Sequence, residues 1–471
     1  MWDPVAWGSP MNANPHPLLH VAVVLALVIS LACAQSPMEI PLSSEEVEDF
    51  GACLLAADLD GDGKAELLVG APRFAAADRH RIGRMQVFRG QASLETLTSR
   101  SWIGESSGSL FGHSLALGDT NGDGFQDLLV GAPGTDRSKG AAYLVLGGKG
   151  GGAILAGGDL TQSRAAMAIR GSLELAALGS AVAMGDLDGD GLADLALGEP
   201  MASLGSQRNC GRVHLLKGSK TLRTTLSVDD AKSGAEVRVQ GREEEALGHH
   251  IATFDVNGDG CADLILGSPW YHEQDGALIV ILGGKDFFKA RRTISLDLDG
   301  VDYHLLGAPK SRLGESVAGG SFGPEAHRFV LAGAPATAVG RDQQAGAFHG
   351  IPWPPEAKRQ SLQRRDTTGV RTWPGAVSGE RVGTSLQVIP ASGGTGSHLL
   401  VGSGGVARAM VFADPSDLLP SLRPSHAPMP KGAKGGASAV TAGDLNGDGE
   451  PNWILGTPES NRVTVFASPA K

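Results

Sequence analysis

The stretch LGSAVAMGDLDGDGLADLALGEP, Leu178 to Pro200, decides how this chain is read. Leu178-Gly179 opens it, and the alternating run Ala181-Val182-Ala183-Met184 has the period of a short strand. An acidic loop with two glycines follows, from Asp186 to Asp194, and then a second apolar run, Leu195 to Leu197. Gly198-Glu199-Pro200 stops that run with residues that favour a turn.

The unit recurs. Its opening pair has counterparts at Phe50-Gly51, Phe111-Gly112, Leu247-Gly248, Leu313-Gly314 and Val382-Gly383, with a worn copy at Gly436-Ala437. A closing glycine falls 20 residues after the first member of every pair, at Gly70, Gly131, Gly198, Gly267, Gly333, Gly402 and Gly456. Spacing between copies varies, at 61, 67, 69, 66, 69 and 54 residues. Constant length inside the unit and variable length outside it describe a rigid element joined by loops. Further alternating runs follow each closing turn, such as Met85–Phe88, Ala142–Leu146, Val213–Leu216 and Leu278–Leu282.

Most copies leave room for a fourth strand. Seven units of four short antiparallel strands predict an all-β, seven-bladed β-propeller. An array of sandwich domains is the structural alternative, but such domains normally need more than about 65 residues each. The expected repeats run near 50–110, 111–177, 178–246, 247–312, 313–381, 382–435 and 436–467, within a domain of residues 35–471. The last copy ends too early for a fourth strand, so residues 38–43 are expected to close the final blade and remove an open edge. Residues 414–430, rich in Pro and Ser, read as a long surface loop or insert.

Composition agrees with this fold. Among 471 residues there are 68 glycines, charged residues make up 19% and aromatics 5%, a mix suited to tight turns between strands. The net charge of −11 argues against nucleic acid or an anionic lipid surface as a partner. Leu18–Ala32 is an apolar run too short to span a bilayer, followed by Ala32-Cys33-Ala34, so residues 1–34 read as a signal peptide. Cleavage there releases a secreted protein; alternatively, Leu31-Ala32-Cys33 resembles a lipoprotein signal, with Cys33 as the lipidated residue. Both readings place the mature protein outside the cytosol, in contact with a membrane only through such an anchor. Cys53, Cys210 and Cys261 make an odd set; a Cys210–Cys261 pair and three small unbridged side chains both fit.

The acidic loops carry the main chemistry. Oxygen ligands at positions 1, 3, 5 and 9, with a carbonyl at 7 and glycines at 4 and 6, suit a hard cation such as Ca²⁺. Four loops fit: Asp58/Asp60/Asp62/Glu66, Asp119/Asn121/Asp123/Asp127, Asp186/Asp188/Asp190/Asp194 and Asp255/Asn257/Asp259/Asp263. Their position-7 carbonyls come from Lys64, Phe125, Leu192 and Cys261. A fifth loop, Asp444/Asn446/Asp448/Asn452 with Glu450 at position 7, has fewer carboxylates and is expected to bind more weakly. Copies five and six put Ser321/Gly323/Glu325/Phe329 and Pro390/Ser392/Gly394/His398 at these positions, and no metal is expected there. An EF-hand is rejected, because position 12 holds Val69, Val130, Leu197, Leu266 or Leu455 instead of a bidentate Glu. Turns that bind nothing are the plainer alternative, but the five loops place 16 carboxylates close enough to repel one another.

The unit Phe111-Gly112 … Asp119-Thr120-Asn121-Gly122-Asp123-Gly124 … Gly131-Ala132-Pro133 resembles the FG-GAP repeat of integrin α-subunit propellers. The resemblance covers residues 38–467 and is most specific in the first four copies. It implies a seven-bladed propeller whose Ca²⁺ loops are structural and lie on one face, while ligands and partner subunits engage the other. Leg domains and a transmembrane helix like those of animal integrins are not expected here. Together with the lipoprotein-like leader, the chain looks like a bacterial-type FG-GAP protein.

No catalytic constellation is expected. Gly104-Glu105-Ser106-Ser107-Gly108 matches G-x-S-x-G without a strand-to-helix elbow, and His272-Glu273 lacks the second helical His of a zincin. A related phospholipase family carries this propeller beside a separate catalytic domain, for which these residues leave no room. The expected role is therefore a calcium-stabilised protein-binding or adhesion module for a surface protein. A carbohydrate-binding propeller is the rival, with a hydrolase behind both. Ligand contact is expected in the loops after each Gly-X-Pro: Trp270, Tyr271 and His272 are the main candidates, since exposed aromatics commonly anchor interfaces. Arg79, Arg81 and Arg84 form a second, basic candidate. His249-His250 lies on an expected strand, where alternation would bury one ring and expose the other.

Overall fold

A computed structural model describes residues 38–466, except 42–47, 77, 92–96, 161–164, 231–234, 290–291, 297–299, 324–325, 356–358, 363–368, 391–396, 406–407, 413–424 and 428–435. The leader at residues 1–34, with Cys33, and most of residues 414–430 lie outside this set. No described helix is long and apolar enough to cross a membrane.

The described chain folds into seven small sheets in a ring, a seven-bladed β-propeller. Blade 1 is typical. Cys53–Ala57, Glu66–Ala71, Arg84–Phe88 and Ser99–Ile103 pair antiparallel in chain order from the central channel outward. The second strands of blades 1 to 4 are buried throughout. Asp127–Ala132, Asp194–Glu199 and Asp263–Ser268, for example, lie between strands on both edges and between blades on both faces.

Blade 7 closes the ring. Ala439–Gly443, Asn452–Thr457 and Arg462–Phe466 come from the C-terminal end, and Met38–Pro41 pairs antiparallel with Arg462–Phe466 as the outermost strand. Ile40 is buried against Phe50, Ile454 and Val463, and Glu39 meets Arg462 at 3.1 Å. The apolar core divides into seven clusters, one between each pair of neighbouring blades. The cluster containing Ile40 joins blade 7 to blade 1.

The repeated glycines are explained by this blade-to-blade packing. Gly131, which closes the blade 2 unit, packs against the carbonyl of Gly179, which opens blade 3; a Cβ on Gly131 would overlap that oxygen. The same contact closes the ring between Gly456 and Gly51. Gly51 and Gly179 both have φ above +80°, which turns their carbonyls toward the neighbouring blade.

Blades 1 to 4 carry a fifth strand that their repeat pattern does not announce. After its third strand, the chain of the following blade returns to the outer edge of the blade before it and adds a short parallel strand. Gly158–Asp159, Thr225–Ser227, Arg292–Ser295 and Arg359–Ser361 do this for blades 1, 2, 3 and 4 in turn. Blade 6 differs, because Ser425–Ala427 serves as its antiparallel fourth strand.

Candidate metal loops and the opposite loop face

Because strands alternate in direction, all loops between first and second strands emerge at one end of the ring. The Gly-X-Pro turns, between second and third strands, emerge at the other. The acidic loops occupy the first end.

Each acidic loop is organised by its own backbone. Asp58 accepts from the N–H of Gly61 at 2.8 Å and of Gly63 at 2.9 Å. Asp119 does the same for Gly122 and Gly124, and Asp444 for Gly447 and Gly449. In the third loop Asp186 accepts from Asp190 and Gly191; in the fourth Asp255 accepts from Gly258 and Gly260. The position-9 acids lie deeper. Asp127, Asp194 and Asp263 each accept from the N–H of loop position 2 and from Gly147, Gly218 or Gly283 after the third strand. Glu66 accepts from Leu59 N–H, and Asn452 from Leu445 N–H.

Burial and repulsion from neighbouring carboxylates raise the position-9 acids, to about 7 for Glu66 and Asp194 and to about 6 for Asp127 and Asp263. Ligand oxygens of Asp58, Asp60 and Glu66, and of Asp186, Asp188 and Asp190, gather within 4.8 Å of one another. Asp188 Oδ1 is buried without a hydrogen-bond partner. Clustered oxygens, position-9 acids with raised proton affinity and an orphaned buried oxygen form a donor set that fits a hard divalent cation. The second, fourth and fifth loops place Asn121, Asn257 and Asn446 at position 3, each donating to the aspartate two residues on. Lysines compensate part of the charge: Lys64 meets Asp62 at 2.8 Å, and Lys217 bridges Asp188 and Asp190.

The loops are also joined to one another. Ala65 N–H donates to the Asp444 carbonyl at 2.6 Å, Ala193 to Asp119 at 2.8 Å and Ala262 to Asp186 at 2.7 Å. The position-7 residues Lys64, Leu192 and Cys261 precede these three junctions, while Phe125 and Glu450 precede Gln126 and Pro451, the latter without an N–H to donate. Charge placed in one loop is therefore felt at the seam with the next blade.

At the opposite end, the structure modifies the basic candidate. Arg84 is half-buried, pairs with Glu48 at 2.7 Å and covers the Phe74 ring at 4.3 Å, so it serves packing. Arg79 binds Asp159 at 2.9 Å and the Gly104 carbonyl. Arg81 alone of the three is exposed and outside any ion pair with described residues.

Trp270 and Tyr271 enter a left-handed turn in which His272, Glu273 and Gln274 all have positive φ. Trp270 is 36% exposed, with the Arg312 guanidinium 4.5 Å from its ring centre. Tyr271 leans against the core between blades 3 and 4, beneath Arg242. His272 points outward and meets Asp275 at 2.7 Å, which raises its pKa. The three side chains are adjacent but serve different contacts, with Trp270 the exposed apolar element. Of the five large apolar side chains exposed among the described residues, Leu175, Met201, Trp270 and Val377 lie at this end and only Phe125 lies in an acidic loop.

His249 and His250 both line the central channel, a cavity of about 420 Å³ walled by the innermost strands of all seven blades. The strand does not sort them one in and one out. Burial lowers both to about 4. Cys53, Cys210 and Cys261 are free thiols, so the Cys210–Cys261 pair is not formed. Sequence reading also missed a buried cluster behind Gly198-Glu199-Pro200. Glu199, fully buried, accepts from Arg212 at 2.6 Å and meets His214 Nε2 at 3.0 Å. Its signal was the Glu standing where other copies have Ala, Ser or Thr.

Comparison with known proteins agrees with this architecture. The FG-GAP repeat model matches residues 50–82, 111–145, 178–216 and 247–281. Integrin alpha-PS5 of Drosophila melanogaster is 35% identical over 157 residues, 33% of this chain and 15% of that protein. Integrin alpha-5 of Xenopus laevis is 28% identical over 238 residues, 48% of this chain and 20% of that protein. Phosphatidylinositol-glycan-specific phospholipase D of Bos taurus is 33% identical over 186 residues, 37% of this chain and 21% of that protein. The match thus spans about a fifth or less of each relative's length.

Proposed function

We propose that this FG-GAP propeller is an extracytoplasmic protein-binding module, stabilised by Ca²⁺ at one end and presenting the other end to its partner. The division of the two ends carries the reading. Oxygen-rich, backbone-locked loops occupy one end, and four of the five large apolar side chains exposed among the described residues occupy the other. Aromatic and aliphatic side chains left in water at one end of an otherwise well-buried fold are what a partner would cover. Relationship to integrin alpha chains supports a place outside the cytosol and an interaction role.

Asp58, Asp60, Asp62 and Glu66, and their counterparts in loops two, three and four, would hold Ca²⁺, with Asp444, Asn446, Asp448 and Asn452 as a weaker set. Bound there, the ion supplies positive charge that offsets carboxylate repulsion. The protein itself fixes the loop shape and links it to the next blade. No enzymatic activity is assigned; the relationship to a phospholipase D is confined to a small part of that protein.

Cross-linking of the intact protein to surface proteins, compared with Trp270→Ala, tests the reading. Capture of a defined protein partner is expected, with affinity falling about thirtyfold or more in the variant, as for an aromatic hot spot worth about 2 kcal/mol. Binding to a glycan array that Trp270→Ala abolishes, without a protein partner, would instead establish a carbohydrate-binding propeller. Turnover of a glycan or phospholipid by the pure protein would overturn both.

A further inference from the structure

The acidic loops fall into two kinds, and a residue outside each loop follows the division. Position 3 is an aspartate in the first and third loops, Asp60 and Asp188, and an asparagine in the second and fourth, Asn121 and Asn257. Arg89, Leu146, Lys217 and Leu282 hold one equivalent place in blades 1 to 4. Each follows the third-strand residue that pairs with the residue after loop position 9, as Leu216 pairs with Leu195 in blade 3. The two bases stand beside the aspartate loops and the two leucines beside the asparagine loops.

The contacts explain the match. Asn121 accepts from Asp123 N–H at 2.8 Å through Oδ1 and donates to the Asp123 carboxylate at 3.1 Å through Nδ2. Asn257 grips Asp259 in the same way, at 2.9 Å for both bonds. An aspartate at position 3 has no hydrogen to donate, and it sets a second negative charge two residues from the first.

The strand base supplies the missing donor. Lys217 Nζ bonds Oδ2 of Asp188 and lies 3.1 Å from Oδ2 of Asp190, bridging positions 3 and 5. In the first loop the task is divided: Arg89 donates to Asp60 Oδ2 at 3.1 Å, and Lys64 to Asp62 Oδ2 at 2.8 Å. Lys217 takes only the outer oxygen of Asp188. The other, Oδ1, is buried and has no hydrogen-bond partner among the described residues.

We propose that Lys217 and Arg89 are tethered counter-ions that set the calcium response of the third and first loops. From the third strand, each offsets part of the carboxylate repulsion that a divalent ion would otherwise offset. The loop therefore keeps its shape without the ion, and takes it up less tightly than four carboxylates alone would. Base with Asp and leucine with Asn are two balanced settings of one loop. This rests on the Ca²⁺ reading above and adds to it a residue outside the ligand set that tunes each loop.

The test uses the full protein, with hydrogen exchange of residues 186–194 followed across a Ca²⁺ titration. Lys217→Leu should speed exchange there in metal-free protein. It should also lower the Ca²⁺ midpoint about tenfold, as removal of a unit charge a few Å from a divalent ion would. Lys217→Arg should leave both close to their original values. Asp188→Asn/Lys217→Leu recreates the pairing of Asn121 with Leu146, so its metal-free exchange should return toward that of the unaltered protein. Arg89→Leu, read at residues 58–66, repeats the test in the first loop. A midpoint that stays or rises in Lys217→Leu would overturn the proposal while leaving Ca²⁺ binding in place. A double variant that exchanges as fast as Lys217→Leu would do the same. If Ca²⁺ slows exchange in neither segment of the unaltered protein, the calcium reading fails and the proposal with it.

Discussion

Single positions carry two separate demands here, close approach and charge. Gly131 answers the first, because its missing Cβ makes room for the Gly179 carbonyl. Gly131→Ala should cost about 3 kcal/mol, as overpacking at a rigid contact does. Gly205→Ala, at φ +60° with nothing within 4 Å of a Cβ, should cost only about 1 kcal/mol from backbone strain. Chemical denaturation of the two variants checks this, and equal losses would contradict the blade-contact explanation. Charge is answered by the position-9 acids. Their folded pKa values, about 6 to 7, exceed those of unfolded carboxyls, so in metal-free protein their contribution is complete below about pH 4 and is lost as pH rises through 6–7. Cation binding needs the same groups ionised. The rise in melting temperature that Ca²⁺ gives should therefore grow from pH 5 to pH 8. His249, His250 and His349, depressed to about 4 by burial, act in the opposite sense, losing their contribution as pH falls, but they do so with and without the ion and cancel in that difference. A Ca²⁺ effect that is flat or shrinking over this range would contradict the assignment.

At the scale of elements, the repeat was legible because its signals are local. Positive-φ glycines, aspartates two residues apart and a run of buried apolar residues all lie within 20 positions of one another. Blades 5 and 6 lose the acidic ligands yet keep the fold, since His327–Ala334 and Ser397–Ser403 still supply an apolar second strand. The parallel fifth strands were not legible. Gly158–Asp159 and Arg359–Ser361 are short, lack alternation and pair with a blade one step back, so nothing nearby in sequence marks them. Arg84 was misjudged for a similar reason: the acid that neutralises it, Glu48, lies 36 residues earlier. The pairing of Met38–Pro41 with Arg462–Phe466 gives the element-scale prediction. Ile40→Asp would bury a carboxylate between blades 7 and 1 and should cost about 3 kcal/mol, whereas exposed Glu39→Gln should cost under about 1 kcal/mol. Thermal unfolding of both variants checks it; equal melting temperatures would show that the closing strand contributes little.

At the scale of the whole molecule, the two ends of the ring differ. Seven apolar interfaces hold the blades, and backbone bonds between acidic loops tie one end of the ring together. Among the described residues, the opposite end carries four of the five exposed large apolar side chains. In the proposed function Ca²⁺ would act on the acidic-loop end, and its removal should then loosen the entire ring and not one blade alone. The most direct test is thermal unfolding of metal-free protein at pH 7.5, with and without about 2 mM Ca²⁺, a level matched to extracellular calcium modules. The account predicts one cooperative transition that moves to higher temperature with Ca²⁺, and a smaller shift in Asp186→Asn/Asp190→Asn. An unchanged melting temperature on adding Ca²⁺ would contradict it.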